Sequence, residues 1–211
     1  MNYIKCPKCE LNYIDADKEK LCLTCRGEEI KKTAPRSIVA KSPALIKAPV
    51  RYNGKAIFFV FQNSKEFLSE QREGIIKAPY YDKGMNEPHH WARLENVRKG
   101  DVILHGVDGL VLAISEAKDT CYDFTYKDGS QGRKIDCLYH LLKSPLVTAK
   151  HRDEITKHCP RYEYQPFNKN GTGNQGYLFD ICQEIAKLFI SDIAARNSDI
   201  EMLLAVKDSL S

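Results

Sequence analysis

Residues 89–117 read HHWARLENVRKGDVILHGVDGLVLAISEA. The stretch divides into a short helical turn through ARLENV, a turn at Lys99-Gly100-Asp101, and two apolar runs of strand length. Asp108-Gly109 separates the two runs. That dipeptide tolerates the positive φ of a tight two-residue turn, so the runs read as a hairpin. The order is therefore short helix, turn, strand, hairpin, strand.

Working outward, KAIFFVFQN (55–63) is a continuous apolar run with polar ends, the pattern of a strand buried on both faces. SKEFLSEQREG (64–74) follows as a helix, with Ser64 as candidate N-cap and Gly74 as stop. APYYDKGMNEPHHW (78–91) is an aromatic-rich loop. CYDFTYKDGSQGRKIDCLYHLL (121–142) reads as a second hairpin turning at KDGSQG, and RYEYQPF (161–167) alternates like a strand. GYLFDICQEIAKLFISDIAARN (176–197) places Leu178, Ile181, Ile185, Leu188 and Phe189 on one helical face. Several short strands with two or three helices predict an α+β fold, a small partly closed β-barrel with flanking helices.

The chain has 211 residues, of which 43% are hydrophobic, enough for one core and a small extra module. It contains no apolar run long enough to span a membrane, and its first residues, MNYIKCPKCE, lack the apolar stretch of a secretory signal. The expected location is cytoplasmic. The formal net charge of +4 is unevenly placed: Lys31, Lys32, Arg36, Lys41, Lys47, Arg51 and Lys55 occur with no acidic residue among them. With Pro35, Pro43 and Pro49, residues 31–54 read as an extended basic linker. It is either a strap that tracks phosphates, with Lys31, Lys32 and Arg36 as contacts, or a solvated spacer.

Four of the eight cysteines form Cys6-x2-Cys9 and Cys22-x2-Cys25. Two such knuckles at this separation can set four thiolates around one Zn²⁺, and four protein ligands leave no position for water. Residues 1–30 are therefore expected to be a structural zinc ribbon whose folding energy comes largely from the metal. A redox role for either pair is the competing reading. Cys121, Cys137, Cys159 and Cys182 read as reduced core thiols.

The order of aromatic loop, Trp91, V-x-x-GD-x-I (Val97–Ile103), hairpin and small-residue strand VLAIS (111–115) resembles the EVE domain pattern of the PUA superfamily, of which YTH domains are relatives. The segment PFNKNGTGNQGYLF (166–179) resembles the last strand and helix start of such modules, and the ribbon resembles those that head some bacterial restriction-type proteins. The resemblance spans about residues 55–195. It implies a β-barrel with a pocket for one flipped, modified base, in DNA or in RNA, that targets a restriction-type effector such as a nuclease or translocase. It also implies that the chain can be one piece of that longer effector. The reader domain would cover 55–197 and a helical tail 198–211.

Candidate pocket residues follow from position. Gln62 and Asn63 end the first strand with amides able to donate and accept; Tyr80, Tyr81 and Trp91 offer π faces; Asn174 and Gln175 sit in a glycine-rich loop. Trp91 can equally be core, and the tyrosines surface residues. Asn174 is also a candidate helix cap beside N–H groups free for an anion. His89 and His90 lack a metal-motif partner. Two other functions stay open: a metal-dependent nuclease using the His151–His158 region, and a zinc-ribbon adaptor for a protein partner.

Overall fold

The computed structural model describes residues 3–5, 13–15, 48–159 and 164–210. The chain divides into two units, Met1–Leu45 and Ile46–Ser211. In the first, β1 (Tyr3–Lys5) pairs antiparallel with β2 (Tyr13–Asp15). Cys6, Cys9, Cys22 and Cys25, expected to form a zinc ribbon, and Lys31, Lys32 and Arg36 lie outside the described residues.

The second unit begins inside the stretch expected to be linker. Arg51–Tyr52 forms β3 and pairs with β4 (Lys55–Phe61). The reason is electrostatic. Asp101 is fully buried after the Lys99-Gly100 turn. Its carboxylate accepts from Arg51 Nη1 at 2.6 Å and Nη2 at 3.1 Å, from the Ala56 amide at 2.9 Å and from the Arg98 amide at 2.7 Å. Arg51 is thus committed to the fold and is not a free phosphate contact.

β4 is buried on both faces, as its unbroken apolar run predicted. Ile57 and Phe59 join one core, while Ala56, Phe58 and Val60 join another. It runs parallel to β6 (Val102–Val107), which turns through Asp108-Gly109, both at positive φ, into antiparallel β7 (Leu110–Ala117). Between β4 and β6 come α1 (Ser64–Glu73), β5 (Ile75–Pro79), the one-turn α2 (His89–Ala92) and a 3-10 turn at Arg93–Asn96. The N-cap of α1 is Asn63 rather than Ser64: its side chain accepts from the Glu66 amide at 2.9 Å in a capping box, and Gly74 closes the helix at φ 68°.

β8 (Tyr122–Thr125) and β9 (Gln131–Val147) form the expected second hairpin. α3 (Arg152–His158) follows. The segment from Gly176, expected to enter a helix directly, first forms β10 (Leu178–Asp180) against β4; α4 (Gln183–Arg196) starts later, capped at Cys182. Asn174 therefore caps no helix. α5 (Glu201–Ser209) is not a detached tail, because Leu203 and Val206 are buried in the outer core with Phe59 and Phe189. Burial of each such side chain contributes about 1.5–3 kcal/mol.

The eight-stranded sheet runs β10-β4-β6-β7-β9-β5, with β3 on β4 and β8 on β9. Its path has two ends, so among the described residues the sheet is open where a partly closed barrel was expected. The first half of β9 pairs with β5 and β8, and the second half pairs with β7; this shift of partners carries one strand around the inner core. That core holds Phe58, Val60, Ile76, Leu94, Ile103, Ile135 and Leu178.

Removing the Asp101 carboxylate would leave the Arg51 guanidinium and two amides without their shared acceptor. Asp101→Ala is expected to lower stability by about 3–5 kcal/mol in urea unfolding, whereas Lys55→Ala, at an exposed pair with Glu116, should cost under about 1 kcal/mol.

Candidate nucleic-acid interface

The two free ends of the sheet are joined by side chains. Tyr177, just before β10, accepts at Oη from the Lys77 amide of β5 at 3.2 Å and donates to Glu70 Oε2 of α1 at 2.7 Å. The same Glu70 oxygen accepts from Gln62 Nε2 at 2.6 Å. The other end of that amide, Oε1, lies 3.0 Å from His105 Nδ1, so this nitrogen carries the proton. His105 Nε2 then accepts from Ser115 Oγ at 2.7 Å. The Tyr139 ring lies 4.3 Å from that of His105, tilted by 35°, and its hydroxyl donates to the Ile75 carbonyl at 2.9 Å.

This chain is out of water, which sets its protonation. Burial pushes the Glu70 carboxyl up to about 7, against the opposing hydrogen bonds from Tyr177 and Gln62. Burial drives His105 down to about 3 and raises Tyr177 and Tyr139 well above their ordinary range. The network is therefore near neutral at its acid end and neutral at its imidazole.

Through the Tyr177 amide this buried chain adjoins α2, and a rim is built on the loop between β5 and α2. Asp82 folds this loop by accepting from the Gly84 amide at 2.8 Å and the Asn86 amide at 2.9 Å. Two arginine–tyrosine pairs flank it. Arg133 is buried, its guanidinium 4.3 Å from the Tyr80 ring centroid, with Nη2 at 2.7 Å from Glu87 and 2.9 Å from Glu95. Tyr80 donates its hydroxyl to Asp123. On the other side buried Arg93 pairs with Asp180 and lies 5.5 Å from the Tyr164 ring centroid, which in turn is 4.5 Å from His89. Arg133 Nε and Nη1, Arg93 Nε and Asp180 Oδ1 are buried with no partner among the described residues. Such groups carry a cost of about 1–3 kcal/mol each unless something satisfies them.

His90 accepts from the Tyr177 amide at Nδ1, 3.2 Å away. Burial, then the neighbouring His89, hold it down to about 4, so it is a neutral imidazole with Nε2–H as donor. His89 is likewise lowered, by burial and by Arg93.

The residues named from sequence separate into three places. Tyr80 and Tyr81, with ring centroids 6.3 Å apart, stand on the rim, and Tyr81 is exposed. Trp91 is half-buried against the inner core beneath it. Gln62, expected at a strand end facing a base, has both ends of its amide engaged in the buried chain, and Asn63 caps α1. Asn174 donates to the Gln165 carbonyl at 2.7 Å and holds the 165–176 loop, whose Gly171 sits at φ 73° where a Cβ would meet Arg152 Cγ at 2.8 Å. Gln175 is exposed beside it.

The side chains that sequence reading passed over are Glu70, His105, Tyr177, Arg93, Arg133 and Tyr164. For Arg133 a signal existed: it shares strand parity with Ile135 and Cys137, so an arginine stands on the apolar face of β9. Of the proposed nuclease residues, His151 bonds Asp192 at 2.8 Å, while His158 lies 3.2 Å from Glu154 and 3.9 Å from Glu184. Among the described residues no group of three His, Cys, Asp or Glu side chains is placed to hold a metal ion.

No family model matches the chain, and no curated protein does. Among solved structures it is similar to protein PSPTO5229 from Pseudomonas syringae, at 12% identity over 65% of this chain and 99% of that one, TM-score 0.44. It is also similar to Rpa0253 from Rhodopseudomonas palustris, at 14% identity over 69% and 95% of the two chains, TM-score 0.42. A third is the YTH domain of the Zygosaccharomyces rouxii MRB1 protein in complex with N6-methyladenosine RNA, at 12% identity over 65% and 86%, TM-score 0.40. No helix among the described residues is long and apolar enough to cross a membrane.

The buried chain makes a pH prediction with two opposing parts. Glu70, raised when folded, binds a proton that the unfolded chain has released, so its contribution to stability falls as pH rises from about 4.5 to about 7. His105, depressed when folded, stays neutral where the unfolded imidazole is charged, so its contribution rises with pH up to about 6.5. The Glu70 and His105 contributions should thus nearly cancel between these values, and wild-type stability should rise with pH through the depressed His90 and His89. Glu70→Gln removes the first term, and its unfolding free energy should climb with pH by about 1.4 kcal/mol per unit more than wild type, measured by urea titration.

Proposed function

We propose that this protein is a nucleic-acid-binding reader that captures one flipped, modified base. The observation that carries the reading is the pair of buried arginines, Arg93 and Arg133, each beside a tyrosine ring, with Arg93 Nε and Arg133 Nε and Nη1 lacking a partner among the described residues. A base entering there meets π faces from Tyr80, Tyr81 and Trp91 and donors for its ring nitrogens or carbonyl oxygens. The sequence resemblance to EVE modules supports the same placement.

The energetics are consistent. Taking a base out of its stack costs a few kcal/mol, and stacking on an aromatic side chain returns about 1–3 kcal/mol. A methyl group alone adds about 1–3 kcal/mol, so discrimination also needs the arginine donors and the shape of the loop. Gln62 and Asn63 support the site from behind, and Asn174 and Gln175 form its glycine-rich flank. Cys6, Cys9, Cys22 and Cys25 hold a structural Zn²⁺, Lys31, Lys32 and Arg36 contact phosphates, and DNA presented to a nuclease or translocase is the biological substrate.

Fluorescence anisotropy tests the reading with matched strands and duplexes, unmodified or carrying N6-methyladenine or 5-methylcytosine, on DNA and RNA backbones. Modified DNA should bind at least about tenfold tighter than its unmodified match, a difference worth about 1.4 kcal/mol. Tyr81→Ala and Trp91→Ala should erase that preference. Equal, weak affinity for every probe would remove the modified-base assignment, and tighter binding of RNA would reassign the nucleic acid.

Zinc is checked separately. The purified chain should carry equimolar zinc by elemental analysis, and Cys22→Ala should lose it.

A further inference from the structure

The back of the same small sheet carries an unusual set of side chains. β5, the first half of β9, and β8 lie side by side, with Lys77 opposite Lys134 and Lys134 opposite Tyr122. These three form one row on the face turned away from Arg133. Phe124 occupies the next outward position on β8, and Tyr126 follows at the hairpin, its ring 4.9 Å from Phe124. Tyr126 lies flat against the backbone of Gly132, where a Cβ would come within 2.7 Å of the ring.

Two features of this face work against folding stability. Tyr122 is 40% exposed, Phe124 is only partly covered, and among the described residues neither belongs to a core cluster. Alternation of Tyr122, Phe124 and Tyr126 is thus not explained by burial. Lys77 and Lys134 are direct cross-strand neighbours, and like charges in that position repel. Glu73 bonds Lys77 Nζ at 3.2 Å and acts more weakly on Lys134. The Lys134 ammonium instead lies 5.2 Å from the Tyr122 ring centroid and 5.0 Å from that of Phe124. Asp136 is the other carboxylate on this face, and it accepts the Tyr122 hydroxyl at 3.0 Å.

We propose that the outer face of β5, β9 and β8 is a platform for single-stranded nucleic acid, with bases stacked on Tyr122 and Phe124 and the phosphate chain passing the Lys77–Lys134 pair. Lysine ammonium groups beside partly exposed rings match a polyanion with flat apolar bases, whose phosphates would compete with Glu73 for Lys77. A duplex does not fit, because its base faces are already stacked and cannot reach the rings. The platform rests on the reading of the chain as a base reader, and it extends that reading to the nucleotides flanking the captured one. Asp123, which accepts the Tyr80 hydroxyl on the inner face, lies between Tyr122 and Phe124 in sequence. A strand whose base is held at Tyr80 and Arg133 has to turn only the β8 edge to lie on them.

The test is anisotropy of the full chain with a fluorescein-labelled, unmodified oligo(dT) of about ten nucleotides, at several salt concentrations. The double variant Tyr122→Ala/Phe124→Ala should bind at least about tenfold more weakly, while Tyr122→Trp/Phe124→Tyr keeps wild-type affinity. Lys134→Gln should flatten the logarithmic salt slope by about one unit. Unchanged affinity in the alanine pair overturns the platform. So does equal weakening in the ring-preserving pair, or a duplex bound as tightly as the single strand.

The two proposals fail differently. If the alanine pair binds oligo(dT) normally while Tyr81→Ala still removes the preference for modified DNA, the platform falls and the reader stands. If platform variants lose binding but no modification is preferred, the modified-base assignment falls alone. Failure of the wild-type chain to bind any nucleic acid ends both.

Discussion

The structure depends on how an open sheet is closed without a hydrogen-bonded seam. β5 and β10 stand at opposite ends of the strand order, and Tyr177 spans the gap between them with one hydroxyl. That hydroxyl is useful only because Glu70 is there to accept it, and Glu70 is positioned by Gln62, which is held by His105, which is held by Ser115. The Glu70 carboxylate takes the Gln62 N–H, so the amide turns its oxygen to His105 and the tautomer of the imidazole follows. A buried polar chain is destabilising when one member lacks a partner and rigid when all are satisfied. Here it replaces the backbone ladder that a closed barrel would have.

The position of the rim follows from that closure. Tyr177 carries its own amide to His90, which fixes α2, and α2 leads directly into Arg93. Asp180, three residues after Tyr177, then meets Arg93 from β10. On the opposite side Arg133 is placed by the parity of β9, because a strand that buries Ile135 and Cys137 must also turn Arg133 inward. The two arginines thus reach the loop from different parts of the chain. Among the described residues some of their N–H groups have no partner, whereas beside α4 Asn197 satisfies both backbone groups of Ser144.

β8 has two faces with separate roles in the proposed binding. Asp123 looks inward to Tyr80, while Tyr122 and Phe124 look outward with Lys134 over them. An edge strand with both faces used in this way gives up core packing: among the described residues its outer rings meet the lysines of β9 and β5, with Lys77 Nζ 5.7 Å from the Phe124 ring centroid. The cost is borne by the larger outer core, where Phe59, Leu104, Ile114 and Leu146 of the sheet meet Phe189, Ile193, Leu203 and Val206 of the last two helices.

The sequence by itself determined the strands and turns whose signals are local. The apolar run of β4, the Asp108-Gly109 hairpin, the KDGSQG hairpin and the Gly74 stop are set by side-chain polarity and by φ preferences of single residues, which need no distant partner. The aromatic loop and its tyrosines were legible for the same reason. What only the tertiary structure decided were the partners that meet across the chain. Asp101 drew Arg51 and β3 out of an expected linker, β4 turned Leu178–Asp180 into a strand before α4 began, and Gln62 was taken inward by Glu70 and His105 rather than left facing a base. In each case burial made an unpaired polar group too costly, and the nearest complementary group lay far away in sequence. No local pattern records which distant group that will be.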